Sequence, residues 1–332
     1  MMLLSSATKG RDLLVVSELE NHFIERVLVV GGSGFIASGL INYLQNINFS
    51  MKSKLQVRII SRFREHYPIN FENTNMFCHP KIEQLCEFYQ KFDPQIVFYI
   101  SRINSESIYE DLLNDNLELL KYHLEAATTL NSAPRFVFLS SGAVYGLKQV
   151  DKDQIPLTEN LDINLETLSI YGKIKLYSEE LILHYCEDKK LDAKILRLFA
   201  FFGPGLPLEN FAIGNFMLSA LHHKNIKIQG TGKTIRSYMY IDDLSSTLIR
   251  LALKDVNIVN VGGETSINLV ELATIFHKNF GISLEILAKE NFESYYVPDL
   301  NKVKNLLGEV NYVSLETGLK YWHKSLINGS QI

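Results

Sequence analysis

The feature that most narrows what this chain can fold into is Val27-Leu-Val-Val-Gly-Gly-Ser-Gly-Phe-Ile-Ala37. An apolar, β-branched run ends there in a glycine-rich turn and resumes with helical periodicity. In a strand-to-helix junction Gly31 supplies the tight turn, and Gly34 lets the backbone approach a pyrophosphate. The helix N-terminus then directs free N–H groups and partial positive charge at it. Position 37 must be small where the helix packs on the strand, and it is Ala37. The spacing is G-x-x-G-x-x-A rather than G-x-G-x-x-G, and alone it also suits an ordinary glycine-rich β-turn-α.

Strand-like and helix-like runs alternate beyond this turn, which is the pattern of a parallel sheet with crossover helices. Strands are expected near 26–31, 56–61, 95–101, 135–140 and 193–199, and helices near 34–47, 81–92, 106–130 and 168–187. A further helix is expected over about 10–25. The fold class is α/β: a doubly wound parallel sheet over residues 1–200, followed by a smaller C-terminal α/β lobe over 201–332, partly interleaved with it. The chain has 332 residues and a net charge of −4 with no sustained basic block, which argues against nucleic acid as a partner. Cys78, Cys86 and Cys186 lack C-x-x-C pairing, which argues against a disulfide framework or a zinc site. No run suits a secretory signal or a membrane span, so a cytoplasmic location is expected.

The second strand, Leu55-Gln-Val-Arg-Ile-Ile60, leads into Ser61-Arg62-Phe63-Arg64, where an NAD-binding unit usually places an acidic residue for the ribose 2′-hydroxyl. A hydroxyl and two guanidinium groups stand there instead. They suit a 2′-phosphate, which favours NADP over NAD, although a solvated surface loop is the alternative.

Candidate catalytic residues fall in two places. Phe136-Val-Phe-Leu-Ser-Ser-Gly-Ala-Val-Tyr-Gly146 carries Ser140 and Ser141 to the carboxyl end of a strand, the edge where open α/β sheets bind ligands. Ser169-Ile-Tyr-Gly-Lys-Ile-Lys175 opens a helix with Tyr171 and Lys175 on one face. A tyrosine of ordinary pKa about 10 is a poor base, and a neighbouring ammonium lowers that value enough for proton exchange with a hydroxyl or carbonyl. Ser141 would hydrogen-bond the same oxygen. Tyr185-Cys-Glu-Asp-Lys189 has the same spacing but starts about 21 Å further along the helix, so packing is its expected role.

With these residues in place, the chain from residue 26 onward resembles the extended short-chain dehydrogenases/reductases that act on nucleotide sugars, including epimerases, dehydratases, decarboxylases and keto-sugar reductases. The resemblance rests on the Gly31/Gly34/Ala37 turn, Asn116, Leu139-Ser-Ser-Gly-Ala-Val-Tyr-Gly146, Pro156-Leu-Thr-Glu159, Tyr171/Lys175, Leu196-Arg-Leu-Phe199 and Gly203-Pro204. It continues through Gly230-Thr-Gly232, Arg236-Ser-Tyr-Met-Tyr-Ile-Asp-Asp243, Asn260-Val-Gly-Gly263 and Val297-Pro-Asp299. It implies a catalytic set of Ser141, Tyr171 and Lys175. Cofactor contacts are implied at Gly31, Ser33, Gly34, Phe35, Ile36, Ser61, Arg62, Arg64, Ile100, Ser101, Asn116, Ser140, Tyr171 and Lys175. Arg236 and Asn210 are implied holders of the nucleotide diphosphate, together with Ser141 at the sugar. The alternatives are an ion pair of Arg236 with Asp242 or Asp243, and a plain loop residue at Asn210. A homodimer through helices like 106–130 and 168–187 is also implied.

Departures from the family narrow the chemistry. In the 4,6-dehydratases the hydroxyl residue precedes an Asp-Glu pair, whereas Gly142-Ala143 follow Ser141 here. Ala200 replaces a common asparagine, and Ser101-Arg102 replace two small residues. The expected activity is NADPH-dependent reduction of a nucleotide-linked 4-keto-6-deoxy sugar, in the making of deoxysugars for cell-surface polysaccharide. A C4 epimerase is the alternative, and a non-catalytic NADP(H)-sensing protein a third reading. Two motifs are set aside: Gly230-Thr-Gly-Lys-Thr234 lacks the first glycine and the helix of a P-loop, and His222-His223 lack further ligands at metal spacing.

Overall fold

Continuous Val/Ile/Phe-rich strands, rather than alternating ones, belong to a parallel sheet covered on both faces, and that is how these runs fold. The computed structural model describes residues 6–52, 54–61, 74–76, 81–101, 109–146, 148–150, 154–189, 191–228, 230–287 and 293–329. In chain order come α1 (Ser6–Asn21), β1 (Arg26–Val30), α2 (Phe35–Asn48), β2 (Gln56–Ser61), β3 (Thr74–Met76), α3 (Ile82–Phe92), β4 (Ile96–Tyr99), α4 (Tyr109–Thr128) and β5 (Arg135–Ser141). Next are β6 (Lys148–Gln149), α5 (Ile170–Lys189), β7 (Ala193–Leu198), β8 (Ala200–Phe202), α6 (Ala212–Leu221), β9 (Ile226–Ile228), β10 (Ile235–Tyr240) and α7 (Ile241–Ala252). The rest are β11 (Ile258–Val261), β12 (Ser266–Asn268), α8 (Leu269–Phe280), β13 (Leu284–Ile286), β14 (Ser294–Tyr296), α9 (Asn301–Leu307) and α10 (Leu315–Gly329).

Seven strands form one sheet in the order β11-β7-β5-β4-β1-β2-β3, with every pairing parallel. Strand order reverses between β1 and β4, and the connections leave in opposite directions there, opening a crevice at the carboxyl ends. The Gly31 N–H bonds Ile60 O at 2.8 Å and the Ile100 N–H bonds Val30 O at 2.9 Å, so the glycine turn is flanked by both neighbouring strand ends. One face of the sheet is packed by Leu40, Leu44, Leu248 and Leu251 of α2 and α7, and the other by Leu85, Leu120, Leu124 and Ile182 of α3, α4 and α5.

The helix expected over 10–25 forms earlier, as α1, and lies outside α2 and α7. Arg11 reaches Asp243 of α7 at 2.5 Å, Tyr43 of α2 donates to Asp12 at 2.7 Å, and Glu18 pairs with Arg250 at 3.0 Å. Beyond residue 200 the chain divides. α7 and β11 pack with the large sheet, while β12-β10-β14-β6, with β8 added on β10, make a small mixed sheet beside β9–β13. Trp322 of α10 is fully buried against Phe202 of β8. Among the described residues no helix is long and apolar enough to cross a membrane.

His123 of α4 is fully buried, with Nδ1 3.0 Å from the Tyr89 hydroxyl. Desolvation holds its pKa down at about 3. The imidazole is therefore neutral in the fold, while the unfolded chain binds a proton below about pH 6.5. Its contribution to stability is full above that pH and is lost as pH falls toward 3, at about 1.4 kcal/mol per pH unit. His123→Asn keeps a partner for Tyr89 and should remove about one proton from the slope of unfolding free energy between pH 6 and 4. Urea titrations with an unchanged slope would rule His123 out as its source.

Candidate active site

Two glycines of the first turn are required for different reasons. Gly31 has φ +91°, and a Cβ there would lie 2.6 Å from the backbone N and Cα of Ser101, so the turn rests directly on the end of β4. Gly34 has φ −83° and ψ 162°, open to any residue, and a Cβ would come no nearer than 3.9 Å to a protein atom. Protein packing does not call for glycine at 34. The space above the helix there is open to a bound group. Gly34 is the N-cap of α2 and gives no side-chain bond, so the N–H groups of Phe35, Ile36 and Ala37 point at the crevice without a cap. This cradle fits the pyrophosphate of a nicotinamide dinucleotide, and Gly31, Ser33, Gly34, Phe35 and Ile36 would hold it.

Around the cradle, Ile100 and Ser101 follow β4 and Ser61 is buried at the end of β2. Arg62, Arg64 and Arg102 lie outside the described residues. Asn116 is buried on α4 and its Nδ2 donates to Leu112 O at 2.7 Å.

β5 delivers Ser141, 7 % exposed, to the sheet edge, where Oγ accepts the Ala143 N–H at 3.2 Å and caps a 3-10 turn over Gly142–Tyr145. α5 is seated so closely on this turn that a Cβ on Gly172 would fall 2.6 Å from Ala143 O. Ser169 caps the helix by accepting the Gly172 N–H at 3.1 Å. Tyr171 precedes Gly172 in the first turn of α5, the end of the helix that packs on Ala143. Tyr171 is also in electrostatic range of Tyr296, whose hydroxyl is 3.4 Å from Ser141 Oγ. One turn on, Lys175 is buried, with Nζ donating to Leu139 O at 2.7 Å and lying 4.6 Å from the Phe138 ring centre. The ammonium is thus fixed over the last residues of β5. Tyr185 is buried instead between α4 and α5, with its hydroxyl donating to Glu125.

Ser140 points to the opposite side from Ser141, as strand alternation requires, and its hydroxyl donates to Glu179. The Ser140 hydroxyl is thus committed inside the protein, which leaves its backbone as the part that could face a cofactor. Glu179 also binds Arg197 at 2.7 Å, and Arg197 donates to the Tyr145 hydroxyl at 2.9 Å. The Tyr145 hydroxyl in turn donates to Asn260 Oδ1 at 2.8 Å.

Arg236 of β10 donates to Ile235 O at 2.8 Å, to Ser294 O at 2.9 Å and to Ser294 Oγ at 2.6 Å, and lies over the Tyr296 ring at 5.6 Å. Its partners are neutral oxygens. The alternative of an ion pair with Asp242 or Asp243 is not what forms: the guanidinium bonds Ile235 and Ser294, and Asp243 is taken by Arg11 and by the Val313 N–H. Burial pushes the Arg236 pKa down. A half-buried cation held in this way suits an anionic ligand. Asn210 is exposed at the end of the short turn Leu208–Asn210 leading into α6. His222 and His223 are exposed at the end of α6.

Two residues at the site went unread in the sequence. Tyr296 stands immediately before Val297-Pro-Asp299, and its hydroxyl, with the Phe199 ring, leaves no room for a side chain at Gly142: a Cβ would be 2.8 Å from one and 2.7 Å from the other. Glu179 continues the four-residue spacing of Tyr171 and Lys175 along one helix face, a signal that was present.

A parallel sheet with a glycine turn at its reversal point, serine at one strand end and tyrosine and lysine on the facing helix define the extended short-chain dehydrogenase/reductase architecture. Residues 27–262 match the NAD dependent epimerase/dehydratase family, and the chain belongs to it. UDP-glucuronic acid decarboxylase 2 of Arabidopsis thaliana is 26% identical over 312 residues, covering 89% of this chain and 66% of that protein. The chain thus spans about two thirds of that relative's length. The fold is shared with UDP-glucose 4-epimerase of Thermotoga maritima, solved with UDP-glucose, at a TM-score of 0.76 and 21% identity, covering 92% of this chain and 99% of that one. It is shared too with UDP-glucuronic acid 4-epimerase of Bacillus cereus, in complex with UDP-glucuronic acid and NAD, at 0.74 and 23%, covering 91% and 99%.

The contrast between the glycines gives a direct check of the cradle. Gly34→Ala should change stability by no more than about 0.5 kcal/mol, since the backbone suits alanine although alanine is the poorer N-cap, while weakening dinucleotide affinity at least roughly tenfold. Gly31→Ala should lose both, with about 2 kcal/mol of stability gone through strain and contact with Ser101. Calorimetric titration with NADP and NAD beside urea unfolding measures each. Undiminished binding by Gly34→Ala would remove the turn from the dinucleotide site.

Proposed function

We propose that this chain transfers hydride between a nicotinamide dinucleotide and a carbon of a nucleotide-linked sugar, in the direction of net reduction. The substrate class is a nucleotide-linked 4-keto-6-deoxy sugar and the product its 4-hydroxy form, for deoxysugar and surface-polysaccharide synthesis in the cytoplasm. The observation that carries this reading is the edge at Ser141, where two hydroxyls meet, Lys175 is anchored two residues back at Leu139 O, and residue 142 has no space for a carboxylate.

NADPH, when bound, supplies the hydride that reaches the keto carbon. Ser141 would donate a hydrogen bond to the carbonyl oxygen and polarise it. Tyr171 would give that oxygen its proton, leaving a phenolate that the Lys175 ammonium favours, and solvent would restore the proton. Lys175 would also hold the cofactor ribose. Arg236, with Asn210, would bind the diphosphate and set how deep the sugar sits. Dehydration needs an acid and a base beside the hydroxyl residue, and Gly142 and Ala143 offer neither.

NADP is favoured over NAD because β2 ends in Ser61 and the sequence continues Arg62-Phe63-Arg64, with no carboxylate for a ribose 2′-hydroxyl. The second reading is a C4 epimerase, because Ser141, Tyr171 and Lys175 would serve oxidation and reduction of the same carbon equally well. The presence of all three argues against a sensor without catalysis. A homodimer through α4 and α5 belongs to the same proposal.

Supplying a nucleotide-linked 4-keto-6-deoxyhexose should consume NADPH in a spectrophotometric assay, and Arg62→Ala should erase the preference for NADPH over NADH. No consumption, together with inversion of a 4-hydroxy nucleotide sugar, would replace the reductase with the epimerase. Tyr171→Phe should lower kcat by about 10²–10⁴ with dinucleotide affinity within about twofold, the size expected for losing a positioned acid. Retained turnover in that variant would assign the proton to another group.

A further inference from the structure

Glu293, immediately before β14, gives its carboxylate to a loop. One carboxylate oxygen accepts the Thr231 N–H at 2.9 Å and the Thr231 hydroxyl at 2.8 Å. The other accepts the Thr234 N–H at 2.8 Å and the Thr234 hydroxyl at 2.9 Å. Both threonines belong to Gly230-Thr-Gly-Lys-Thr234, which turns through φ +92° at Gly230 and +76° at Gly232 and so converges four donors on one point. The loop that looked like the tail of a P-loop does cradle an anion, and the anion is the protein's own. Burial raises the pKa of Glu293, but the four donors outweigh it and hold the carboxyl below its ordinary value.

This clamp fixes the segment that carries Arg236. Thr234 stands two residues before Arg236, and Ser294 follows Glu293 on the strand paired with β10. The Ser294 N–H donates to Thr234 Oγ1 at 3.3 Å, while Ser294 O and Oγ accept the Arg236 guanidinium at 2.9 and 2.6 Å. Glu293 therefore ties the loop ahead of Arg236 to the strand beside it. The carboxylate is spent on hydroxyls and N–H groups, and the guanidinium is aimed by neutral oxygens that leave its charge available. A receptor for a diphosphate needs both properties, since a carboxylate on Arg236 would compete with the ligand and an untethered side chain would lose freedom on binding.

We propose that Glu293 is a positioning residue for the diphosphate of the substrate, acting on Arg236 through Thr231, Thr234 and Ser294. The proposal rests on the reading of Arg236 as the diphosphate receptor.

Calorimetric titration with UDP, dTDP, GDP and CDP identifies the tightest-binding diphosphate, which then serves as the probe. Glu293→Gln sets an amide N–H₂ against one donor pair and should weaken that probe roughly tenfold, with NADP affinity within about twofold. Thr234→Val, which keeps the backbone bond, should give a smaller loss in the same direction. In an Arg236→Ala background Glu293→Gln should produce no further loss, whereas a merely structural role would weaken both backgrounds alike. Unchanged affinity in Glu293→Gln, or equal losses with and without Arg236, overturns the role of Glu293 alone. If the parent chain binds none of the four, or Arg236→Ala binds as tightly as the parent, the reading of Arg236 falls and this proposal with it.

Discussion

The carboxyl edge of the sheet depends on one buried ion pair, Glu179 with Arg197. Removing both charges from water costs several kcal/mol per ion, and the pair is tolerable only where every remaining lone pair and proton is satisfied. Here Glu179 also accepts from Ser140, and Arg197 also donates to Tyr145 and to Glu159 O at 3.3 Å. Desolvation opposes the charge on Arg197, but Glu179 more than offsets it and raises the guanidinium pKa. Tyr145 continues to Asn260, whose Nδ2 donates to Leu157 O at 2.7 Å and whose N–H reaches Glu159 at 2.9 Å. One connected network thereby fixes β5, β7, β11, α5 and the Leu157–Glu159 segment. Because Glu179 shares a helix face with Tyr171 and Lys175, the pair also sets the rotation of α5 and hence where those two side chains stand.

Carboxylates elsewhere are spent in the same way. Asp243 holds α1 to α7 through Arg11, and Glu293 closes the loop before Arg236. Among the described residues, Ser141 is faced by the Tyr296 hydroxyl and by the aromatic wall of Phe199 and Tyr296, whose rings are 4.6 Å apart. Such a surface can move a proton and polarise a carbonyl. Eliminating water would ask for acids that Gly142 has no room to supply.

The large sheet was legible because its strands are long apolar runs bounded by helical ones, so periodicity alone located β1, β2, β4, β5 and β7 nearly to their ends. β11 was not, since Ile258-Val-Asn-Val261 is four residues long and returns to the sheet only by pairing with β7. The small sheet is built of short strands whose partners lie far away in sequence, such as β6 on β14. Local pattern cannot report that pairing. At the candidate site, Ser141, Tyr171 and Lys175 were singled out by motif and position, whereas Tyr296 reaches Ser141 across 155 residues and carried no local signal. The inward bond of Ser140 to Glu179 was not legible either, since it depends on how α5 packs against β5.

A crystal structure of the chain with NADP and the diphosphate it binds tests the central claim most directly. The account predicts the pyrophosphate on the N–H groups of residues 35–37, the nicotinamide ring beside Ser141 and Tyr171, and the diphosphate on Arg236. The space between ring and phenol should admit a sugar carbon at the roughly 3–3.5 Å needed for transfer. A dinucleotide bound elsewhere, or a nicotinamide too far from Tyr171 for one sugar carbon to reach both, would contradict it.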